Sequence, residues 1–542
     1  TVGSSNNFFG NSAGNSNTIG CHNNFFGFYA GYVNTTGSHN ISIGYQAGYA
    51  NTFGCYNNFF GRQSGRSNTT GYHNIFIGQC TGYANTFGCY NNFFGKCAGR
   101  ANTTGSNNTF IGSSAGYNNT FGCHNIFFGS LAGYCNTTGY YNNFFGRTAG
   151  YNNTTGTNNT FIGYLAGYCN SSGNHNNFFG CRTGFSNISG SNNNFIGYCA
   201  GYNNTTGSNN TFIGTGAGSC NTIGACNNFI GYYAGFKNSS GCYNNFFGKY
   251  SGRMNTSGSN NNFFGREAGG VNTSGSYNNF FGMFAGTSNT YGGCNVFIGQ
   301  YVGNSNSGGN NNIFLGSCAG YQNQNGGYNT FIGRGAGSAN SSGGCNIFLG
   351  GYRPGSSNTT GDNNIFFGTR AGCSNTTGSC NIFIGRYSAQ NNTIGRCNIV
   401  IGGFSYVSAA NVNNEVSIIG GTTTARFIQG ATNWTFTSDR RDKTNIIDLP
   451  VGRYFLRDIK PRKFQWNFRN SDDNRGDEAS GFIAQEVLET QEKHNLPYLG
   501  LVYSNDPNSY GVAAASFVPI IINAVKELDS ENTSLKERVA IL

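Results

Sequence analysis

Residues 6–22 read NNFFGNSAGNSNTIGCH, and residues 23–39 read NNFFGFYAGYVNTTGSH. The two share a frame of 17 residues, and counting on by 17 meets Asn40, Asn57, Asn74, Asn91 and every later beat to Asn346. One extra residue near Arg353-Pro354-Gly355 shifts the frame, which resumes at Asn364, Asn381 and Asn398. That makes 24 copies, the last incomplete, of N-x-F-[FI]-G-x-x-A-G-x-x-N-T-T-G-x-x. Gly at the fifth phase, Asn at the twelfth and Gly at the fifteenth recur in essentially every complete copy. A Gly at a fixed phase predicts a repeated turn with positive φ. The aromatic and β-branched N-x-F-[FI] segment predicts a short strand between turns.

One copy is too short to bury a face alone, so copies must stack. In-register stacking at ~4.8 Å puts like on like. The twelfth-phase amides of Asn17, Asn34, Asn51 and their successors then form a hydrogen-bonded ladder. Fourth-phase Phe and Ile are expected to form a continuous apolar spine. The predicted fold is mostly β: a β-solenoid, or β-roll, whose coils span on the order of 115 Å.

Composition agrees. Among 542 residues there are 87 Gly, 48 Phe and 33 Tyr, too many aromatics for a solvated disordered tract. No stretch reaches 18 uninterrupted apolar residues, so no membrane-spanning helix is expected. Thr1 stands in mid-pattern, so the chain is expected to be a fragment or a processed form. Residues 1–402 hold 15 Lys/Arg against two acids, Glu267 and Asp362, for a net +13. Residues 403–542 hold 15 against 17, for a net −2. The excess is thin, suited to an anionic glycan or cell surface and not to a dense nucleic-acid interface. All 19 Cys are scattered without a C-x-x-C pair. They read as small, partly buried thiols of a chain folded in a reducing cell, with no metal site and no cofactor.

Two phases face outward. The sixth takes Arg62, Lys96, Arg147, Lys249, Arg266 and Arg334. The tenth takes Tyr32, Tyr49, Tyr83, Tyr117, Tyr134, Tyr151, Tyr168 and Tyr202, interspersed with Arg66, Arg100 and Arg253. Tyr32, Tyr49, Arg66, Tyr83 and Arg100 are thus candidate surface contacts for sugars or an anionic surface. The competing reading is that the Tyr cover the roll's edge or a seam between chains. His22, His39, His73, His124 and His175 share the seventeenth phase, which reads as a turn position ahead of an axial metal site.

The repeat resembles the left-handed β-roll heads of YadA-type trimeric autotransporter adhesins and the Asn-Thr-Phe-Ile-Gly repeats of phage tail fibres. That resemblance implies a homotrimeric rod in which each chain coils its own roll. The 17-residue repeat is longer than the usual adhesin head repeat.

From Gly402 the beat dissolves. Residues 403–437 hold two alternating stretches, EVSIIGG and ARFIQGATNWTFT, read as strands of a neck. Residues 437–446 then read TSDRRDKTNI. Ser438, Asp439, Arg441, Lys443, Asn445 and Ile446 match S-D-x-R-x-K-x-N-I, which opens the intramolecular chaperone auto-processing domain of phage tail spikes and endosialidases. Gly481, Phe482, Ile483, Ala484, Gln485, Glu486 and Val487 resemble its second motif. The implied domain covers 438–542, and its implied activity is one self-cleavage. By motif position the scissile bond is Thr437–Ser438, Ser438 is the nucleophile and Lys443 its general base. A Ser hydroxyl needs a neighbouring base, and a Lys serves where burial or nearby cations favour its neutral form. Arg440 and Arg441 are such neighbours in sequence.

Residues 517–542 place Ile521, Val525, Leu528, Asn532, Leu535, Val539 and Leu542 at alternating four- and three-residue steps. That is a coiled-coil seam, with a helix packed on its own domain's core as the rival reading. A trimerising cap would answer the register problem of a rod whose repeats all look alike. Its removal would leave a kinetically stable fibre. The sequence therefore reads as a viral or phage tail or surface fibre. It is expected to attach to a host-cell receptor such as a glycan, to bind other virion proteins through a region before Thr1, to bind no nucleic acid and to insert into no membrane. Such a fibre assembles in the host cytoplasm and acts outside it, on the virion. The alternatives are a cellular trimeric adhesin and a fragment of a polysaccharide-degrading tail spike. Two acids in the repeats poorly supply a two-carboxylate glycosidase site.

Overall fold

The structure, a computed structural model, describes residues 3–420, 423–427, 435–436, 440, 443–466, 478–506 and 509–541. The chain divides into two compact units, Thr1–Thr437 and Ser438–Leu542.

In the first unit each copy of the repeat makes one coil with one short strand. The strands run from β1 (Asn7–Phe9) to β24 (Ile399–Ile401), all parallel and in register. Phe161, for example, pairs with Phe144 in the coil before it and with Phe178 in the coil after it. Successive strand residues point to opposite faces, and the buried residues are those of the first and third phases. Third-phase Phe rings such as Phe93, Phe229 and Phe366 are fully buried. Consecutive rings stack nearly parallel, with centroids between 4.6 and 5.2 Å apart. Eighth-phase Ala, such as Ala98 and Ala234, fills the space beside them. The expected spine at the fourth phase is therefore corrected to the third. Fourth-phase Phe128 and Ile401 stand outside, 52% and 39% exposed. The parity is set by the first-phase Asn, which is buried, so period two puts phases two and four outside.

The twelfth-phase ladder is present. Asn238 Nδ2 donates to Asn221 Oδ1 at 2.7 Å and to the Gly241 carbonyl at 2.9 Å. Asn255 Nδ2 in turn donates to Asn238 Oδ1 at 2.7 Å. A second ladder uses the first phase. Asn227 Nδ2 donates to the same Gly241 carbonyl at 2.8 Å, and the Asn244 N–H donates to Asn227 Oδ1 at 2.9 Å. The interior is thus half aromatic and half amide, and the amides satisfy one another.

Fifth-phase Gly has the expected positive φ, as at Gly231 (141°). The fifteenth does not, which corrects the turn reading there. A Cβ on Gly241 would lie 2.3 Å from the Gly258 carbonyl oxygen and 2.5 Å from Asn238 Oδ1, so the position is held by close approach. Left-handed backbone falls instead on ordinary residues at the seventh and seventeenth phases, such as Tyr233 (φ 52°) and Tyr243 (φ 58°). Each costs on the order of 1 kcal/mol, sustained because the stacked neighbours fix the coil. His22 and His39 adopt the same conformation and stack at 4.8 Å, as the turn reading of that column expects.

The extra residue is absorbed between β20 (Thr330–Arg334) and β21 (Ile347–Tyr352). Register shifts after Ile332 so that Arg334 pairs with Tyr352, a β-bulge at Gly350-Gly351. At the other end, coil geometry outlasts the sequence beat by one turn. Glu415 takes the place of the Asn, its N–H donating to Asn398 Oδ1 at 2.9 Å, and β25 (Val416–Gly420) pairs in parallel with β24. The chain then reverses into antiparallel β26 (Thr423–Phe427) and β27 (Thr435–Phe436).

The second unit is α+β. Helix α1 (Arg453–Leu456) precedes an antiparallel pair, β28 (Arg462–Gln465) and β29 (Glu478–Gly481). Then come α2 (Ala484–Lys493), a second antiparallel pair, β30 (Val502–Asp506) and β31 (Ser509–Val512), and α3 (Val518–Ile541). Val451, Phe455, Ile459, Val487, Leu496, Leu501, Phe517 and Ile520 form its core. One face of α3 belongs to that core: Ile520 and Ala524 are buried, and Asn523 Nδ2 donates to the Leu449 carbonyl at 2.6 Å. The heptad residues Ile521, Val525, Leu528, Leu535 and Val539 lie on the exposed side; Leu542 lies outside the described residues. Among the described residues, no helix is long and apolar enough to cross a membrane.

Candidate functional site

Two places carry the sequence's functional expectations: the junction behind β27 and the outward columns of the solenoid. At the junction, Thr437, Ser438, Asp439 and Arg441 lie outside the described residues. Arg440 and Lys443 are exposed, and the Lys443 N–H donates to the Arg440 carbonyl at 3.2 Å. Asn445 follows with φ 53°, a left-handed conformation that Asn tolerates better than most residues. Ile446 and Ile447 come next, both exposed, the latter by 82%.

The second motif is a packing and pairing device. Gly481 ends β29 opposite Arg462. Phe482 stacks on Phe517 at 4.9 Å, tying the motif to the start of α3. Ala484 and Val487 face the core from the first turns of α2, while Gln485 is exposed. Glu486 accepts two hydrogen bonds from the Arg462 guanidinium, at 2.9 and 2.7 Å. That pairing holds its carboxyl below the usual range and raises the guanidinium's own value. A second cluster escaped sequence reading: Asp458 Oδ2 accepts from Lys493 Nζ at 2.8 Å and lies 2.7 Å from His494 Nε2. Those bonds, Lys493 first, depress the Asp458 carboxyl. A third joins α1 to α3: Arg453 pairs with Glu531, and its backbone N–H donates to Glu527 at 2.7 Å. The Glu531 carboxyl is held down by that Arg453 bond. None of these partners sits at a local spacing, so no sequence signal announced them.

On the solenoid, the sixth-phase cations Arg62, Lys96, Arg147, Lys249, Arg266 and Arg334 are all exposed, as expected. The tenth-phase rings stack on one another along the axis. Tyr32 and Tyr49 lie 5.2 Å apart; Arg66 lies 5.4 Å from the rings of both Tyr49 and Tyr83 and donates to the Tyr83 hydroxyl at 3.0 Å. Arg100 repeats the arrangement between Tyr83 and Tyr117. The ring faces are thus occupied by their neighbours, and the column offers ring edges, hydroxyls and guanidinium edges to solvent. All 19 Cys are free thiols, none fully buried. Burial raises those of Cys135, Cys169 and Cys220, which keeps them in the less reactive protonated form.

Residues 438–496 match the family described as chaperone of endosialidase, a stretch that begins at the motif Ser and runs through α2. No curated protein and no solved structure matches the chain. The molecule joins a β-solenoid of about 24 coils to a C-terminal segment similar to the chaperone of endosialidase.

Proposed function

We propose that this chain is a homotrimeric attachment fibre of a virion, whose C-terminal unit drives trimer assembly and then cuts itself off between Thr437 and Ser438. The observation that carries the reading is the match over 438–496, which begins where the second compact unit begins, behind a long solenoid. In the proposed step Ser438 Oγ attacks the Thr437 carbonyl while Lys443 takes its proton. The Ser438 nitrogen leaves with the proton handed back by Lys443, and water hydrolyses the ester so formed to the Thr437 carboxylate and the free Ser438 hydroxyl.

Homotypic assembly is supported by the outward strand face. Every fourth-phase residue from Phe9 to Ile401 is Phe, Ile or Leu, without one polar member. At roughly 70 Å² of exposed apolar area per residue, the column presents on the order of 1,500 Å² per chain. The largest apolar patch on an ordinary monomer is about 300–600 Å², and a stable interface takes about 800 Å² from each partner. From Val296 to Val416 the second phase is also mostly Ile or Val, so the face is two apolar columns wide at the end nearer the cap in sequence. A second copy with the same repeat spacing can cover such a column along its whole length. The exposed α3 seam, with Asn532 able to fix register, supports three chains meeting there.

Light scattering on the whole chain, and on residues 1–437 expressed alone, tests the reading. Trimers are expected from the first, and monomers or polydisperse aggregates from the second. Monomers from both would refute it.

A further inference from the structure

The solenoid's positive charge is concentrated on one edge. Thirteen of the fifteen Lys and Arg of residues 1–402 fall on the sixth, seventh and tenth phases. Elsewhere on the edge they occupy single coils, or two neighbouring coils at Lys249, Arg253 and Arg266, but near its C-terminal end four consecutive coils each supply one: Arg334, Arg353, Arg370 and Arg386. Their guanidiniums interleave with aromatic rings. Arg334, Arg353 and Arg370 lie 5.8, 5.4 and 5.5 Å from the centre of the Tyr352 ring. Arg370 and Arg386 each lie 5.4 Å from Tyr387, and Arg386 lies 5.2 Å from Phe404. Arg334, Arg353 and Arg386 are exposed and Arg370 half-buried.

Two features separate this group from ordinary surface charge. First, none of the four makes an ion pair among the described residues, and the one acid in these coils, Asp362, accepts from the Gly344 N–H at 2.6 Å. At ~4.8 Å per coil each cation sits within a Debye length, ~8 Å, of its neighbours in the row, so repulsion between neighbours is poorly screened. Second, the fold does not ask for them: elsewhere the sixth phase holds Ser113, Ser130 and Thr215, and the seventh Ser114 and Thr148. The cost is offset when an anion bridges them. Packing against the rings limits side-chain freedom, which lowers the entropy lost on binding. A shallow hollow of about 290 Å³, lined by Tyr321, Gln322, Ser338 and Arg353, opens beside the group.

We propose that Arg334, Arg353, Arg370 and Arg386 form a binding track for a linear acidic polysaccharide, carboxylated or sulfated, lying along the stacking axis. A guanidinium edge matches a carboxylate or sulfate by paired hydrogen bonds. Single-stranded nucleic acid would need free aromatic faces for its bases, and here Tyr352 and Tyr387 are covered by guanidiniums. The track rests on the attachment reading above and names the class of receptor.

The test immobilises the whole chain and measures binding of heparin (sulfated), hyaluronate (carboxylated), dextran (neutral) and single-stranded DNA across salt concentrations. Heparin or hyaluronate should bind. Their affinity should fall at least tenfold in the Arg334→Gln/Arg353→Gln/Arg370→Gln/Arg386→Gln variant, with the salt slope reduced by about 3. A matched variant, Arg62→Gln/Lys96→Gln/Arg147→Gln/Lys249→Gln, should bind within about twofold of the parent. Equal loss in the two variants, or tighter binding of DNA than of either acidic polysaccharide, overturns the track. Binding to dextran or to neutral members of a glycan array alone overturns the track while leaving the attachment reading standing. Silence towards every glycan likewise overturns the track.

Discussion

Replacing Asn238 by Ala should open the solenoid locally, because the amide is the middle rung of a buried ladder. The substitution removes the bonds to Asn221 Oδ1 (2.7 Å) and the Gly241 carbonyl (2.9 Å), and the bond received from Asn255 Nδ2 (2.7 Å). The Gly241 carbonyl keeps Asn227 as a donor and Asn255 keeps the Gly258 carbonyl, so the stranded group is Asn221 Oδ1. One orphaned buried acceptor plus the lost net bonds amounts to about 3 kcal/mol. Coils contact only their neighbours, so the effect should be read locally and not from a global melt. In hydrogen exchange followed by mass spectrometry, peptides spanning 221–258 should exchange roughly a hundredfold faster. The matched control is Asn245→Ala. Asn245 belongs to an outward ladder, accepting from Asn228 at 2.8 Å and donating to Asn262 at 2.7 Å, where water can replace it. Its removal should cost less than about 1 kcal/mol, under fivefold in rate. Equal acceleration in the two variants would refute the claim that the amide interior, and not the bare repetition of strands, holds the coils.

Acid should weaken the C-terminal unit through Asp458. Its carboxyl is held below its ordinary value by Lys493 and His494, so the bound state's advantage is present above the ordinary range near 4 and is lost as pH falls through the depressed value. The unit's melting temperature should drop between about pH 5 and pH 3, and Asp458→Asn should flatten that part of the profile; an unchanged slope would contradict it.

The coil count and the twelfth-phase ladder were legible because repetition within one chain exposes what each phase tolerates. The inward face was misjudged for a physical reason. NNFFG offers two adjacent Asn as well as two adjacent aromatics, so a period of two cannot choose between phases three and four; burial of the first-phase Asn decides for the third. The fifteenth Gly looked like a turn residue because sequence cannot separate a φ requirement from a close approach. Phase seventeen holds Asn or His in about half of its coils, residues that favour left-handed backbone, but the Tyr and Cys of the other coils mask that signal; phase seven holds Tyr, Cys, Leu, Gln and Arg, which share no such preference. In the C-terminal unit the two motifs were readable as local strings, whereas Arg462–Glu486 and Asp458–Lys493 join distant positions. The structure turned the second motif into an anchor, with Phe482 on Phe517 and Glu486 on Arg462. The outward apolar column became visible only once the interior was known to be elsewhere.

The central claim is that the chain carries its own cut site. Intact-mass measurement of the purified wild type, Ser438→Ala and Lys443→Ala proteins tests it most directly. Wild type should yield two species, one ending at Thr437 and one beginning at Ser438, while both variants stay whole. A single uncut mass from wild type, or the same two fragments from either variant, would contradict the account.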